Sequence, residues 1–172
     1  MMDRMLHRAG AMLGALAIAL LASGCTPEPT PTPSPTGFAS EEEAFAAAEA
    51  TYRAYVDAVN ARRADPTSAM DPQGFLTGVA LEADIDGQRT FVAEGLSLQG
   101  DSIVSAVAPS DWSLASSSIL VCINVSQTRL VNRDGVDVTP YDRADKLGLE
   151  ATVIWVTPEP LISSTTATDS AC

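Results

Sequence analysis

The chain has 172 residues, the length of one ordinary domain, and its 46% hydrophobic content is enough for a real core, which excludes wholesale disorder. Only 5% of residues are aromatic and 19% charged. Acids outnumber bases 22 to 10, for a net charge of −12, and so acidic a surface repels phosphate backbones and argues against nucleic acid as a partner.

The first segment reads as an export signal. Arg4, His7 and Arg8 form a positive head, and residues 11–22 then run without a charge. As a helix that stretch spans about 18 Å, well short of the ~30 Å hydrocarbon core, so it fits a signal-peptide apolar region better than a membrane span. The ending Leu21-Ala22-Ser23-Gly24-Cys25 resembles the lipobox of bacterial lipoproteins, in which small residues precede a cysteine. That resemblance implies a diacylglyceryl group on the Cys25 thiol and cleavage between Gly24 and Cys25, with Ala22 a departure from the more usual leucine. An ordinary secretory signal with a chance cysteine is the alternative. Loss of residues 1–24 removes Asp3, Arg4, Arg8 and His7, so 21 acids and 8 bases remain, the net charge becomes −13, and no histidine is left. Two or three acyl chains would then hold the protein stably, since one alone is marginal.

Residues 25–37 read as a lipidated tether. Thr26 to Thr36 is TPEPTPTPSPT, and its prolines remove amide donors and favour extended polyproline II. Such a spacer reaches about 3.1 Å per residue and keeps out of any core. Recognition by a proline-binding partner is the alternative, with no flanking basic residue to support it.

A folded domain is expected over 38–172. Ser40-Glu41-Glu42-Glu43 has the pattern of a capping box, and three acids suit the positive end of a helix dipole. Phe45, Ala48, Tyr52, Val56 and Val59 follow at three- and four-residue spacing, which predicts a helix to about Ala64, stopped before Pro66. Asp71-Pro72 can open a second, shorter helix. Gly74, Gly78 and Gly87 then interrupt the pattern, so one or two broken helices are expected before Gly95.

Beyond Gly95 the pattern turns to strands, over 98–107, 119–126 and 149–156. In Val121-Cys122-Ile123-Asn124-Val125-Ser126 apolar residues alternate with smaller or polar ones, as on a half-buried strand. Asn132-Arg133-Asp134-Gly135 is a turn signature that predicts a hairpin of 128–131 with 136–138. Thr157-Pro158-Glu159-Pro160 is a further turn, returning the chain into a last strand over 161–166. Helices first and a meander of strands afterwards is an α+β arrangement, with helices on one face of a curved antiparallel sheet.

The order of an acidic-capped helix rich in alanine and tyrosine, broken helices and a long-stranded sheet resembles the nuclear transport factor 2-like fold, a cone. More narrowly, the chain is similar to lipoproteins of unassigned function from actinobacteria. The residues that carry this are 43–55, EAFAAAEATYRAY, the 121–126 strand and Cys172. Leu161-Ile162 stand where the family has a tryptophan, so the end of the sheet is where the resemblance is weakest.

With Cys25 lipidated, Cys122 and Cys172 remain, an even pair in an exported chain, and a disulfide between them is expected. A reactive thiol is the alternative, but no histidine or basic neighbour in sequence lowers either pKa.

Signatures of chemistry are few. Without histidine the mature chain has no Ser-His-Asp or Cys-His catalysis and no histidine metal ligand, so no metal or other cofactor is expected. Gly95 to Gly100 has the spacing of a phosphate loop, but Asp101 stands where lysine is needed. Glu82, Asp84, Asp86 and Gly87 resemble the first half of a calcium loop. Ala93 occupies the position of the bidentate glutamate, so a solvated acidic turn is the better reading. Cone-shaped relatives include isomerases, dehydratases and polyketide cyclases that place acids and tyrosines around a pocket. Here Tyr52, Tyr55 and Asp57 on the first helix, with Asp111 and Trp112 on a connection, are the residues such an enzyme would draw on. The preferred expectation is a non-catalytic domain of the cell envelope, anchored at Cys25 and facing outside the cytoplasm, that binds a small apolar ligand or an envelope protein. A small isomerase- or lyase-type enzyme using a pocket carboxylate and tyrosine is the alternative.

Overall fold

The computed structural model describes residues 37–156 and 159–172. Cys25, the signal and all but the last residue of the tether lie outside them. Helix α1 spans Glu41–Ala64. The Ser40 Oγ accepts from the Glu43 amide at 3.2 Å, and the Glu43 carboxylate reaches back one residue further than a capping box requires, to the Ala39 amide at 2.8 Å. Its buried face is Ala44, Ala48, Thr51, Tyr52, Val56 and Ala58. Asp65, just before Pro66, ends the helix in an extended conformation.

The next segment bears out one expectation in its shortest form and corrects another. Asp71-Pro72 opens only a four-residue 3-10 turn, Pro72–Phe75, with the Asp71 carboxylate accepting from the Gln73 amide. The glycine-interrupted region is one helix, α2, Gly78–Glu94, rather than broken pieces. Gly87 sits inside it, where a methyl group would meet nothing within 4 Å, so its cost is only backbone entropy. Glu82, Asp84 and Asp86 therefore lie on a helix and not in an acidic turn. Gly95 ends α2 in the left-handed region, φ 68°, and its amide caps the Phe91 and Val92 carbonyls.

Among the described residues six strands follow: β1 Leu96–Gln99, β2 Ile103–Trp112, β3 Ser116–Asn124, β4 Arg129–Asn132, β5 Lys146–Val156 and β6 Glu159–Ala167. The expected 98–107 strand is thus divided, because Gly100 takes φ 81° and turns the chain. Asp111 and Trp112 end β2 instead of standing on a connection. Strands β2-β3-β5-β6 form one antiparallel sheet and β1-β4 a second, two-stranded one. The Asn132–Gly135 turn forms, with Asn132 and Val136 joined at 3.0 Å, but the expected hairpin shrinks to a single bridge, Val131 to Asp137. The main partner of β4 is β1. Thr157 and Pro158, half of the last predicted turn, fall outside the described residues, while Val156 and Glu159 pair on either side of them.

Register irregularities break the β2–β3 ladder beside Ser105 and Ser110 and the β5–β6 ladder beside Ser163. An extra residue of this kind bends its strand and sharpens the local twist. The core lies between α1 and the four-stranded sheet, where Ala48, Tyr52 and Val56 meet Ile119, Val121, Val153 and Ile162. Ile162 is completely buried, and its carbonyl accepts from the Thr77 amide at 2.9 Å, which ties the start of α2 to β6. Helix α2 contributes only Ala80 to the fully buried set. At the other end Phe38 is 2% exposed and packs edge-on to Trp155 with ring centroids 5.4 Å apart. The chain is α+β, two helices packed on antiparallel sheets.

The cysteine pair is joined: Cys122 and Cys172 form a disulfide with Cα atoms 5.1 Å apart. Val121, Ile123 and Val125 face the core, so alternation puts Cys122 on the outer face, where the C-terminal segment covers it. That segment crosses Gly148, whose carbonyl accepts from the Thr168 amide at 2.9 Å; a methyl group there would stand 2.2 Å from the Thr168 oxygen.

Candidate functional site

A cavity of about 280 Å³ lies under the C-terminal half of α1. That is the small end of the size range of ligand pockets, about 300–1,000 Å³. Helix α1 supplies Tyr52, Tyr55, Val56, Val59 and Arg63, a single face at helical spacing. Ile123 comes from the end of β3 and Val125 from just beyond it, Leu147 and Leu149 from β5, Leu98 from β1, and Leu76 and Ala80 from the entry into α2. Ser102, Thr128, Arg143 and Thr165 complete the wall. The divided sheet makes this space. After Gly100 the chain leaves β1 for β2, and after Val125 it turns from β3 towards β4, so the two sheets part beside Ser102 and Thr128.

The polar groups of the wall are two guanidiniums and the hydroxyls of Tyr52, Tyr55, Ser102, Thr128 and Thr165. Tyr52 and Tyr55 stack edge-on at 5.9 Å. Burial pushes the Tyr52 hydroxyl far above its ordinary pKa, with Tyr55 adding to the effect. Burial raises Tyr55 as well, helped by the Asp84 charge and opposed by Arg62 and Arg63. Both are neutral phenols at physiological pH, and neither hydroxyl is among the buried side-chain atoms that lack a hydrogen-bond partner.

Two arginines are the charged residues of the lining. The Arg63 guanidinium donates to Ser102 Oγ at 2.8 Å and to the Gly100 carbonyl at 3.4 Å. Asn60 holds Ser102 in place, its amide donating to the Ser102 carbonyl at 2.8 Å and its oxygen accepting from the Ser102 amide at 3.0 Å. Arg143 donates to Thr128 Oγ1 at 2.7 Å, to the Val125 carbonyl at 2.8 Å and to the Thr128 carbonyl at 2.9 Å. Its Nε is buried without a partner among the described residues. Removal from water lowers the pKa of Arg63, and Arg62 lowers it further, while Tyr55 and Asp101 act the other way. Among the described residues no carboxylate stands in the wall.

The residues singled out in the sequence are therefore only partly brought together. Tyr52 and Tyr55 line the cavity. Asp57 is exposed and borders a shallow outer groove with Arg53, Asn60 and Asp101. Asp111 is exposed near the end of β2, and neither it nor Trp112 reaches the cavity. The carboxylate closest in effect to the tyrosines is Asp84, and it is engaged by Arg62 at 3.2 Å, by Gln73 at 3.2 Å and by Gln88. An acid beside a tyrosine, the pair an isomerase- or lyase-type site would need, is not assembled in this cavity. Of the three acids of the calcium-like run, Asp84 is tied up in this way and Glu82 and Asp86 are exposed. No group of three metal-ligating side chains occurs among the described residues.

Sequence reasoning passed over Arg63 and Arg143. Arg63 continues the stripe Tyr52, Val56, Val59 at four-, three- and four-residue steps, a basic residue in line with the buried face. That was a readable signal. Arg143 comes from an irregular segment with no periodicity, and only the folded chain brings it to the wall.

Among the described residues no helix is long and apolar enough to cross a membrane. Comparison with protein families gives no match, and no curated protein matches the chain. Among solved structures, the chain is similar to the crystal structure of the intermembrane space region of the chloroplast protein ARC6, at 15% identity and a TM-score of 0.49, over 73% of this chain and 97% of that one.

Proposed function

We propose that this is a membrane-anchored envelope protein, held at Cys25 by acyl chains, facing outside the cytoplasm, and that its domain binds a small, largely apolar molecule in the cavity under α1. The fold would be a nuclear transport factor 2-like cone. Two N-terminal helices laid on a bulged antiparallel sheet, with a cavity between helix and sheet, support that reading. The anchor rests on the basic head, the short apolar run and the Leu21-Ala22-Ser23-Gly24-Cys25 ending. The single observation that carries the binding role is the cavity itself, apolar over most of its wall and lined by two tyrosines and two arginines. A mostly apolar pocket with a few polar groups in its wall has the usual make-up of a small-molecule site.

The test is extraction of the full chain from its own membrane, with mass spectrometry of both the N-terminal peptide and the co-extracted molecules. The reading expects a mature chain beginning at an acylated Cys25 and a small molecule that leaves only on denaturation. An unmodified Cys25 overturns the anchor. Recovery of a stoichiometric protein partner with no small molecule replaces the ligand role by a protein-binding one.

A further inference from the structure

We infer that the ligand is a single-chain amphiphile with a carboxylate at one end, its anion seated beside Arg63 and Arg143 and its chain along Val56, Val59, Ile123 and Leu149. This rests on the proposed binding role and specifies its chemistry. Both guanidiniums attach to the same end of the cavity. Arg63 donates to the Gly100 carbonyl and Arg143 to the Thr128 carbonyl, and Gly100 lies directly against Thr128, a methyl on it falling 3.4 Å from the Thr128 Cα. In a chain of net charge −12, an end of a cavity marked by two cations and no acid is a strong local reversal of sign.

Those cations lack counter-ions. Neither Arg63 nor Arg143 forms an ion pair within 4.0 Å among the described residues. Asp101 acts on Arg63 and Asp137 on Arg143 only from further off, and both aspartates are exposed to solvent. Their protein partners are neutral carbonyls and hydroxyls, and the Arg143 Nε has none. A partly buried cation with incomplete compensation costs free energy that an incoming anion recovers. A carboxylate suits it because guanidinium–carboxylate hydrogen bonds are charge-assisted, about twice as strong as neutral ones. A space of about 280 Å³ admits one short chain, not a two-chain lipid.

The test is isothermal titration of the full chain carrying Cys25→Ser, which needs no detergent, with octanoate, octanol, octylammonium and acetate. Octanoate is expected to bind about tenfold or more tighter than octanol. Octylammonium and acetate should give no measurable heat, the first repelled by the arginines and the second lacking a chain. Octanol equal to or tighter than octanoate overturns the carboxylate inference and leaves the cavity as a binding site. No heat from octanoate or octanol removes the binding role itself. Arg63→Gln should shrink the octanoate preference to about twofold, with Arg63→Lys retaining more of it, and Arg89→Gln on the outer face of α2 should leave it intact. An unchanged preference in Arg63→Gln overturns the inference.

Discussion

Cys122 and Cys172, 50 residues apart in sequence, are bonded on the outer face of β3, opposite the face on which Ile123 meets the cavity. The bond holds the C-terminal segment across Gly148 and buries Cys122, so its role is to fasten the sheet and not to react. Closing a loop of that length contributes about 4 kcal/mol in the chain-entropy model. Cys172→Ser, a change at an exposed position, should lower stability by about 2–4 kcal/mol in urea unfolding, with no loss of ligand binding under native conditions. A loss under about 1 kcal/mol would show that the outer segment holds without the bond.

Gly100 and Gly135 separate steric from conformational cost. Both have positive φ, 81° and 76°. A methyl on Gly100 would stand 2.2 Å from the Gln127 carbonyl, whereas one on Gly135 meets nothing within 4 Å. Gly135→Ala should cost about 1 kcal/mol, the left-handed penalty alone. Gly100→Ala should cost clearly more, and because it pushes apart the two segments that carry the arginine contacts, it should also weaken octanoate binding. Equal losses in thermal unfolding would remove the close approach from the explanation.

How far the sequence could be read depended on how much each element buries. Helix α1 was legible because Ser40 and Glu43 mark its start and Ala48, Tyr52 and Val56 all face the core. Strand β3 was legible through its alternation, and the disulfide through cysteine parity. Helix α2 was not, because only Ala80 is fully buried and so it writes almost no hydrophobic period into its sequence. Gly87 looked like a breaker but occupies an open helical position. Gly87→Ala should therefore stabilise the protein by about 0.5–1 kcal/mol, and a loss of stability would mean that the helix is interrupted there. The division of the sheet was also hidden, since Gly100 looks like any loop glycine until Gln127 is brought against it. The cavity inherits that obscurity: its tyrosines were visible on α1, but its second arginine arrives from an irregular segment.

Ser117 lies on the inward row of β3 with Ile119 and Val121, fully buried, and its hydroxyl has no partner among the described residues. An unsatisfied buried hydroxyl costs about 1–3 kcal/mol, partly offset by the small void its removal leaves. Ser117→Ala should be neutral or stabilising by up to about 1 kcal/mol in chemical denaturation. A destabilised variant would show that the hydroxyl is bonded in solution.

The central claim is that the space beneath α1 is a binding site, and amide chemical shifts of the full chain titrated with octanoate address it directly. Saturable shifts should concentrate at Tyr55, Val59, Arg63, Ile123 and Leu149, with Cys122 and its neighbours on the outer segment, such as Thr168, much less affected. Shifts centred on Val92 and the outer side of α2, or none at saturating ligand, would contradict it.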